Sequence, residues 1–302
     1  MKPVTALDVL PATAQRELQA VVRILFEEFE ARLRGTTKPS KKAGRILKLV
    51  LYGSYARGDW VDDPIGEYRS DYDILVVVND EQLTDVVDYW AAAEDRLVRD
   101  VTITRTLSAP VNFIVHSLTD LNKQLERGRP FFVDVVRDGI ALYEAEGFGL
   151  AAPAKLPPDE ARAEAQRHFD EWFSSAGDFL QGAEDAANRD KLKLAAFLLH
   201  QTAERLYHCT LLVLSLYSPK SHKLMFLRSR CEQVDQRLVA AWPRETKFER
   251  RCFEILRQAY VNARYSPHYA ITDEELAWLS QRVRALQGLV EQICLERLQA
   301  LA

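Results

Sequence analysis

The spacing of apolar positions changes character about half-way along the 302-residue chain. Leu18, Val21, Val22, Ile24, Leu25 and Phe29 recur at helical intervals, which predicts an amphipathic helix over residues 13–33. Ile46 to Tyr52 and Tyr72 to Val78 are short apolar runs of the kind that form buried strands. Residues 80–98 read as a helix, Val101 to Thr106 and Val111 to His116 as two further strands. Residues 117–127 and 130–137 read as helices, and Ile140 to Tyr143 as a closing strand. Strands alternating with helices make this half α/β with a mixed sheet.

Pro153, Pro157 and Pro158 interrupt a stretch without periodicity, the mark of a boundary. The expected division is a domain over 1–148, a linker over 149–159 and a second domain over 160–302. Beyond the prolines the period is helical throughout, over 159–186, 190–217, 223–241, 245–264 and 273–299. Asp190 and Thr272 are candidate N-caps, and Thr272-x-x-Glu275 has the spacing of a capping box. The second half is therefore an all-α bundle, and the chain a two-domain α+β protein.

Composition narrows the setting. Hydrophobic residues make up 47% and charged residues 28%, an ordinary globular balance. Forty basic and forty-four acidic side chains leave a net charge of −4, so nucleic acid or an acidic membrane would need a local patch. A basic, turn-rich stretch runs from Arg34 through Lys38, Lys41 and Lys42 to Arg45. No apolar run is long enough to span a bilayer, and Met1-Lys2-Pro3 does not open a signal peptide. Cys209, Cys231, Cys252 and Cys294 are far apart and read as small core residues of a reducing compartment. The expected location is the cytoplasm.

The chemistry is concentrated in Leu51-Tyr52-Gly53-Ser54-Tyr55-Ala56-Arg57-Gly58 and in Ser70-Asp71-Tyr72-Asp73-Ile74-Leu75-Val76. A strand that ends in Gly-Ser and turns into a helix offers backbone N–H groups and a hydroxyl to a phosphate. Aspartates at i and i+2 on entry to a strand share one face. Two such carboxylates suit Mg²⁺, an oxygen-seeking cation that also binds substrate phosphates. Phosphoryl and nucleotidyl transfer need positioning and charge neutralisation above all.

This segment resembles the minimal nucleotidyltransferases of the polymerase-β-like superfamily. The resemblance extends through Ala109-Pro110-Val111-Asn112-Phe113-Ile114-Val115 to Gly139-Ile140-Ala141-Leu142-Tyr143. It implies that Gly53 and Ser54 bind the triphosphate of an NTP, with ATP the expected nucleotide. Asp71 and Asp73 would bind Mg²⁺, and Arg57 would support the loop or a phosphate. The family's third carboxylate, which ligates a metal or activates the attacking hydroxyl, maps onto Asn112, so its loss bears on turnover rather than on nucleotide binding. The segment between Ser54 and Asp71 is longer than usual and carries Trp60, Asp62, Asp63 and Glu67.

In the helical half, His200, Gln201, Glu204, Arg205 and His208 gather along one face of a helix. They read as a metal site or, more simply, as a hydrogen-bonded polar network, since the spacing fits no standard His-Glu-x-x-His motif. Lys220, His222 and Lys223 form a basic loop suited to phosphate or to solvent. Arg264 and His268 suit RNA phosphate binding and acid–base work, or a favourably charged helix C-terminus. Phe197 to Tyr207, the Lys-Ser-His-Lys loop and Ala263-Arg264-Tyr265 together resemble a HEPN domain, a nucleotide-binding helical bundle, over roughly 160–298.

Such bundles adjoin minimal nucleotidyltransferases in toxin–antitoxin pairs. That resemblance implies a HEPN ribonuclease built on Arg264 and His268, silenced by transfer of AMP to a tyrosine, with Tyr265 and Tyr269 as candidates. Arg264-x-x-x-His268 is one residue shorter than the usual ribonuclease spacing. The resemblance also implies a homodimer through 160–298. Three readings follow: a Mg²⁺-dependent transferase acting on its own helical domain, a protein partner or a small molecule such as an aminoglycoside; a nucleotide-sensing module that has lost its third acid; or a ribonuclease, acting on RNA, restrained by the transferase domain.

Overall fold

The computed structural model describes residues 1–34, 43–63 and 68–301. Lys38, Lys41 and Lys42 of the basic stretch, and Glu67 of the acidic insertion, lie outside the described residues. Two units form, Met1–Lys155 and Leu156–Ala302. Ala151 and Ala154 of the proline-bounded stretch bond their backbone amides to Asn122 and Leu125 of the first unit.

The first unit opens with α1 (Ala12–Arg34). Its Leu18, Val21, Ile24, Leu25 and Phe29 are buried, as a helix with one apolar face requires. The predicted strands Ile46–Tyr52 (β1) and Tyr72–Val78 form with those bounds. Between them lie the short α2 (Ser54–Arg57) and the two-residue strands β2 (Asp62–Asp63) and β3 (Tyr68–Arg69). Tyr72–Val78 is β4, buried along its whole length because it is central in the sheet.

The helix expected over 80–98 is broken. A 3-10 turn at Glu81–Thr84 precedes α3 (Val86–Tyr89) and α4 (Ala91–Thr102). Asp80 and Asp85 cap the first two pieces with their own side chains, so local capping competes with one continuous helix. The strand expected at Val101–Thr106 is absent. The helix continues through Thr102 and ends in a turn with Arg105 at φ +54°, and Ile103 points to solvent. Next come β5 (Val111–Ser117), α5 (Leu118–Glu126), α6 (Pro130–Asp138) and β6 (Ile140–Glu144). The sheet order is β5-β4-β1-β6, with β4–β5 parallel and the other pairs antiparallel. The helical crossover between β4 and β5 is what lets those strands run parallel.

The second unit is helical: α7 (Pro158–Ala187), α8 (Leu192–Ser215), α9 (Leu224–Val234), α10 (Lys247–Tyr265) and α11 (Asp273–Ala300). The segment 223–241 ends as a separate 3-10 turn, Gln236–Ala241, capped by Asp235. Thr272 caps α11 through a full capping box with Glu275, and Thr246 does the same for α10 with Glu249. Asp190 is not an N-cap. It sits at φ +53° in the turn before α8, and Lys191 takes the cap position. The core is built around α8, with Leu199, Leu206, Tyr207 and all four unoxidised cysteines buried. Among the described residues no helix is long and apolar enough to cross a membrane.

Candidate active site

The end of β1 forms a turn that only glycine permits. Gly53 adopts φ +76°, and a Cβ there would lie 2.5 Å from Asp73 Oδ2. The chain then makes the single turn α2 and leaves it through Gly58 at φ +90°. Ser54 is 4% exposed, and its hydroxyl finds no hydrogen-bond partner among the described residues. A buried hydroxyl without a partner is costly unless a ligand completes it, so the loop suits an incoming phosphate oxygen.

Asp71 and Asp73 flank Tyr72 at the start of β4, and Asp73 is fully buried. In the register of the sheet Asp73 pairs with Tyr52 on one side and with Asn112 on the other. Asn112 Nδ2 donates to Asp71 Oδ2 at 2.8 Å. The parallel β4–β5 pairing thus delivers Asn112 to the two carboxylates, the place where a third acid would complete the set. Among the described residues no three His, Cys, Asp or Glu side chains converge to hold a metal ion. Two carboxylates remain, enough for a Mg²⁺ whose other ligands are phosphate and water.

The site is braced from behind. The Tyr72 hydroxyl donates to Glu17 Oε2 at 3.0 Å and Ser108 Oγ donates to the same oxygen at 2.9 Å. Burial, with the neighbouring Tyr55 and Glu17, holds the Tyr72 phenol far above its ordinary range, so it stays a neutral donor. Tyr55 packs on Tyr72 at 4.5 Å and stacks on Trp60 at 5.6 Å between ring centroids. Arg57 Nε pairs with Asp59 at 3.1 Å.

In the second unit the polar face of α8 divides. His200 Nδ1 donates to the Leu256 carbonyl at 3.0 Å, and its Nε2 faces Glu204 Oε2 at 3.5 Å. His222 Nδ1 meets the other oxygen of Glu204 at 2.9 Å. Both imidazoles stack against Tyr260. Burial pushes the Glu204 carboxyl up, but the neighbouring imidazoles of His200 and His222 outweigh it and hold the group below its ordinary value. His208 turns away to Ser218 Oγ at 2.6 Å and packs on Trp172, and burial lowers its imidazole below the ordinary range. Arg205 lies over the rings of Trp172 and Phe179. Lys220 is exposed. Arg264 lies within about 5 Å of the Phe197, Tyr260 and Tyr265 ring centres and donates to the Tyr260 carbonyl at 2.7 Å. With Lys191, Lys193, Phe197 and Tyr269 it lines an open groove of about 890 Å³.

Comparison with known proteins gives a family for each half of the chain. The family model described as "Polymerase beta, Nucleotidyltransferase" matches residues 37–145, and that of the HEPN domain matches residues 169–293. A relative from Methanocaldococcus jannaschii, provisionally named a protein adenylyltransferase, is 33% identical over 104 residues. The alignment covers 34% of this chain and 85% of the relative. The chain belongs to the polymerase β nucleotidyltransferase family.

The nucleotidyltransferase domain therefore holds Gly53, Ser54, Asp71 and Asp73 in one place, at the ends of β1 and β4. Asn112 joins them. The HEPN domain sets Glu204 against His200 and bonds it to His222 from the loop before α9, while His208 bonds to Ser218. Sequence reading gave no reason to pair residues 18 apart across a turn. It also missed Tyr260, the ring both imidazoles share, and Glu17, one polar residue on an otherwise apolar helix face. The Thr246-x-x-Glu249 box was visible as a spacing. The two tyrosines differ sharply. Tyr265 is 73% exposed, whereas Tyr269 is 6% exposed and donates its hydroxyl to the Ile255 carbonyl at 3.1 Å. His268 is exposed, and its backbone amide bonds to Ser266.

Proposed function

We propose that the chain is a Mg²⁺-dependent nucleotidyltransferase that moves NMP, with ATP as donor, to a hydroxyl of a protein acceptor. The observation that carries this reading is the Gly53–Ser54 turn set against buried Asp73, with the Ser54 hydroxyl unpartnered among the described residues. In it, Gly53 and Ser54 hold the triphosphate and Asp71 and Asp73 hold the metal. When bound, Mg²⁺ supplies neutralisation of the triphosphate and of the departing pyrophosphate. The acceptor oxygen forms a bond to the α-phosphorus as the bond to pyrophosphate breaks, and the hydroxyl proton leaves. An amide takes no proton, so Asn112 orients Asp71 and the proton passes to solvent.

Protein adenylylation comes to this chain from the name of its relative and from an exposed phenol. Tyr265, at the end of α10 in this chain or a second copy, is the acceptor favoured over Tyr269, whose oxygen is buried. A cytoplasmic setting, argued from the four buried free cysteines, and a dimer through the HEPN domain, argued from resemblance, belong to the same reading.

Asn112 favours one second reading, a nucleotide sensor without turnover. Purified protein incubated with Mg²⁺ and each NTP separates the two by intact mass. A gain of one NMP unit, abolished in Asp71→Ala/Asp73→Ala and lost in Tyr265→Phe, supports self-modification. An unchanged mass with bound NTP recovered intact overturns self-modification and leaves the sensor or a transferase that needs an external acceptor.

A further inference from the structure

The turn that presents Ser54 cannot hold its own shape. It is one helical turn long, has glycine at both ends and has no side-chain cap at its start. A helix of that length is unstable by itself, so its position depends on what grips it from outside. On one side Tyr55 is wedged against Tyr72 and Trp60. On the other, Lys2 Nζ donates to the Ala56 carbonyl at 2.9 Å, across 54 residues of sequence.

Lys2 is itself fixed. Its backbone amide donates to the Gly139 carbonyl at 2.8 Å, its carbonyl accepts from Ala141 at 3.0 Å, and it bridges to Ile140 in parallel. The N-terminal segment thus lies along the first residues of β6. Gly139, next to that bridge, has no room for a Cβ against the Val135 carbonyl and Val50, so the anchor point is tightly packed. The ammonium therefore reaches the loop from a rigid base. It satisfies a carbonyl at the end of α2, in a residue that is itself buried, where an unmade bond is costly.

We infer that Lys2 is a positioning residue of the transferase site: its ammonium clamps the Gly53–Gly58 turn through Ala56 and so holds Ser54 in register with Asp73 for the β- and γ-phosphates of the nucleotide. This rests on the nucleotidyltransferase reading above. Lys2 touches no reacting atom. Its contribution is to the geometry of the phosphate loop, so it weighs on triphosphate binding and not on recognition of the base or sugar.

The test is calorimetric titration of the full-length protein with Mg·ATP and, separately, with AMP, using wild type, Lys2→Met and Lys2→Arg. Thermal unfolding is recorded for each. Lys2→Met removes the donor while keeping most of the side-chain volume. Loss of a hydrogen bond from a charged group should weaken Mg·ATP about tenfold. AMP, which lacks the β- and γ-phosphates, should change little, and Lys2→Arg should recover most of the Mg·ATP affinity. A merely structural role would lower the melting temperature and leave the ratio of ATP to AMP affinity unchanged. Lys2→Met binding Mg·ATP within about twofold of wild type, or losing ATP and AMP equally, overturns the inference while the transferase reading stands. Wild type that fails to bind Mg·ATP overturns both. If Lys2→Met does not fold, Lys2→Gln, whose shorter side chain withdraws the donor, takes its place: a selective loss of Mg·ATP over AMP supports the clamp, and a loss shared equally by the two nucleotides, or no loss, overturns it.

Discussion

Asn112→Asp tests whether this site is a two-carboxylate metal centre that has lost its third acid. In the wild type the amide donates to Asp71 Oδ2 at 2.8 Å. The substitution turns that donor into an acceptor and sets two carboxylates against each other, with Asp73 beside them in the sheet register. Two unit charges about 4 Å apart at an effective dielectric of about 20 repel by about 4 kcal/mol. Asp71 and Asn112 are half-buried, and solvent screening reduces the net cost to about 1–2 kcal/mol. For a unit of this size that is a fall of about 2–8 °C in melting temperature. The assay is thermal unfolding of the N-terminal transition in chelator and in millimolar Mg²⁺, with transfer measured alongside. The variant should be less stable than wild type in chelator, gain more from Mg²⁺, and turn over faster once the acid is restored. Equal melting temperatures in chelator, or a Mg²⁺ effect no larger than that of wild type, would refute the assignment of Asn112 to the metal face.

Three further outcomes follow from the same structure. Gly53→Ala forces a Cβ against Asp73 at a positive φ and should cost about 2–4 kcal/mol, with Mg·ATP binding lost in a titration. Tyr72→Phe leaves Glu17 with one fewer donor in a buried setting, and chemical denaturation should show a loss of about 1–2 kcal/mol. His208 and Glu204 both have folded values below their ordinary ones, so the unfolded chain binds more protons. Their contribution is complete above the unfolded values and is lost as pH falls through the folded ones. The HEPN transition should therefore move down as pH falls below about 7, first through histidine and then, below about pH 5, through Glu204, and His208→Gln should flatten that first part.

Much of this was legible in local pattern. The bounds of β1 and β4, the helices of the second half and the Gly-Ser and Asp-x-Asp motifs are written in short-range spacing. Period two or 3.6 and the glycine turn are properties of consecutive residues. The misreadings were also local. Val101–Thr106 looks like a strand by composition, but the helix before it runs on to Thr102 and the turn after it exposes Ile103. Asp190 resembles a cap, but the chain needed a left-handed residue there.

The sequence by itself therefore determined the two kinds of unit, the phosphate turn and the paired aspartates. Tertiary structure alone decided the contacts that complete them. Asn112 reaches Asp71 across 41 residues because β5 pairs in parallel with β4, and a one-residue slip would have turned its side chain to the other face. Lys2 reaches Ala56 because the N-terminal segment lies along β6. Glu204 takes His222 and not His208 because a loop returns to the helix and Tyr260 stacks against the two rings that flank the carboxylate. Each of these contacts joins segments distant in sequence, and their geometry is fixed by strand order, helix packing and chain return, which no local window contains.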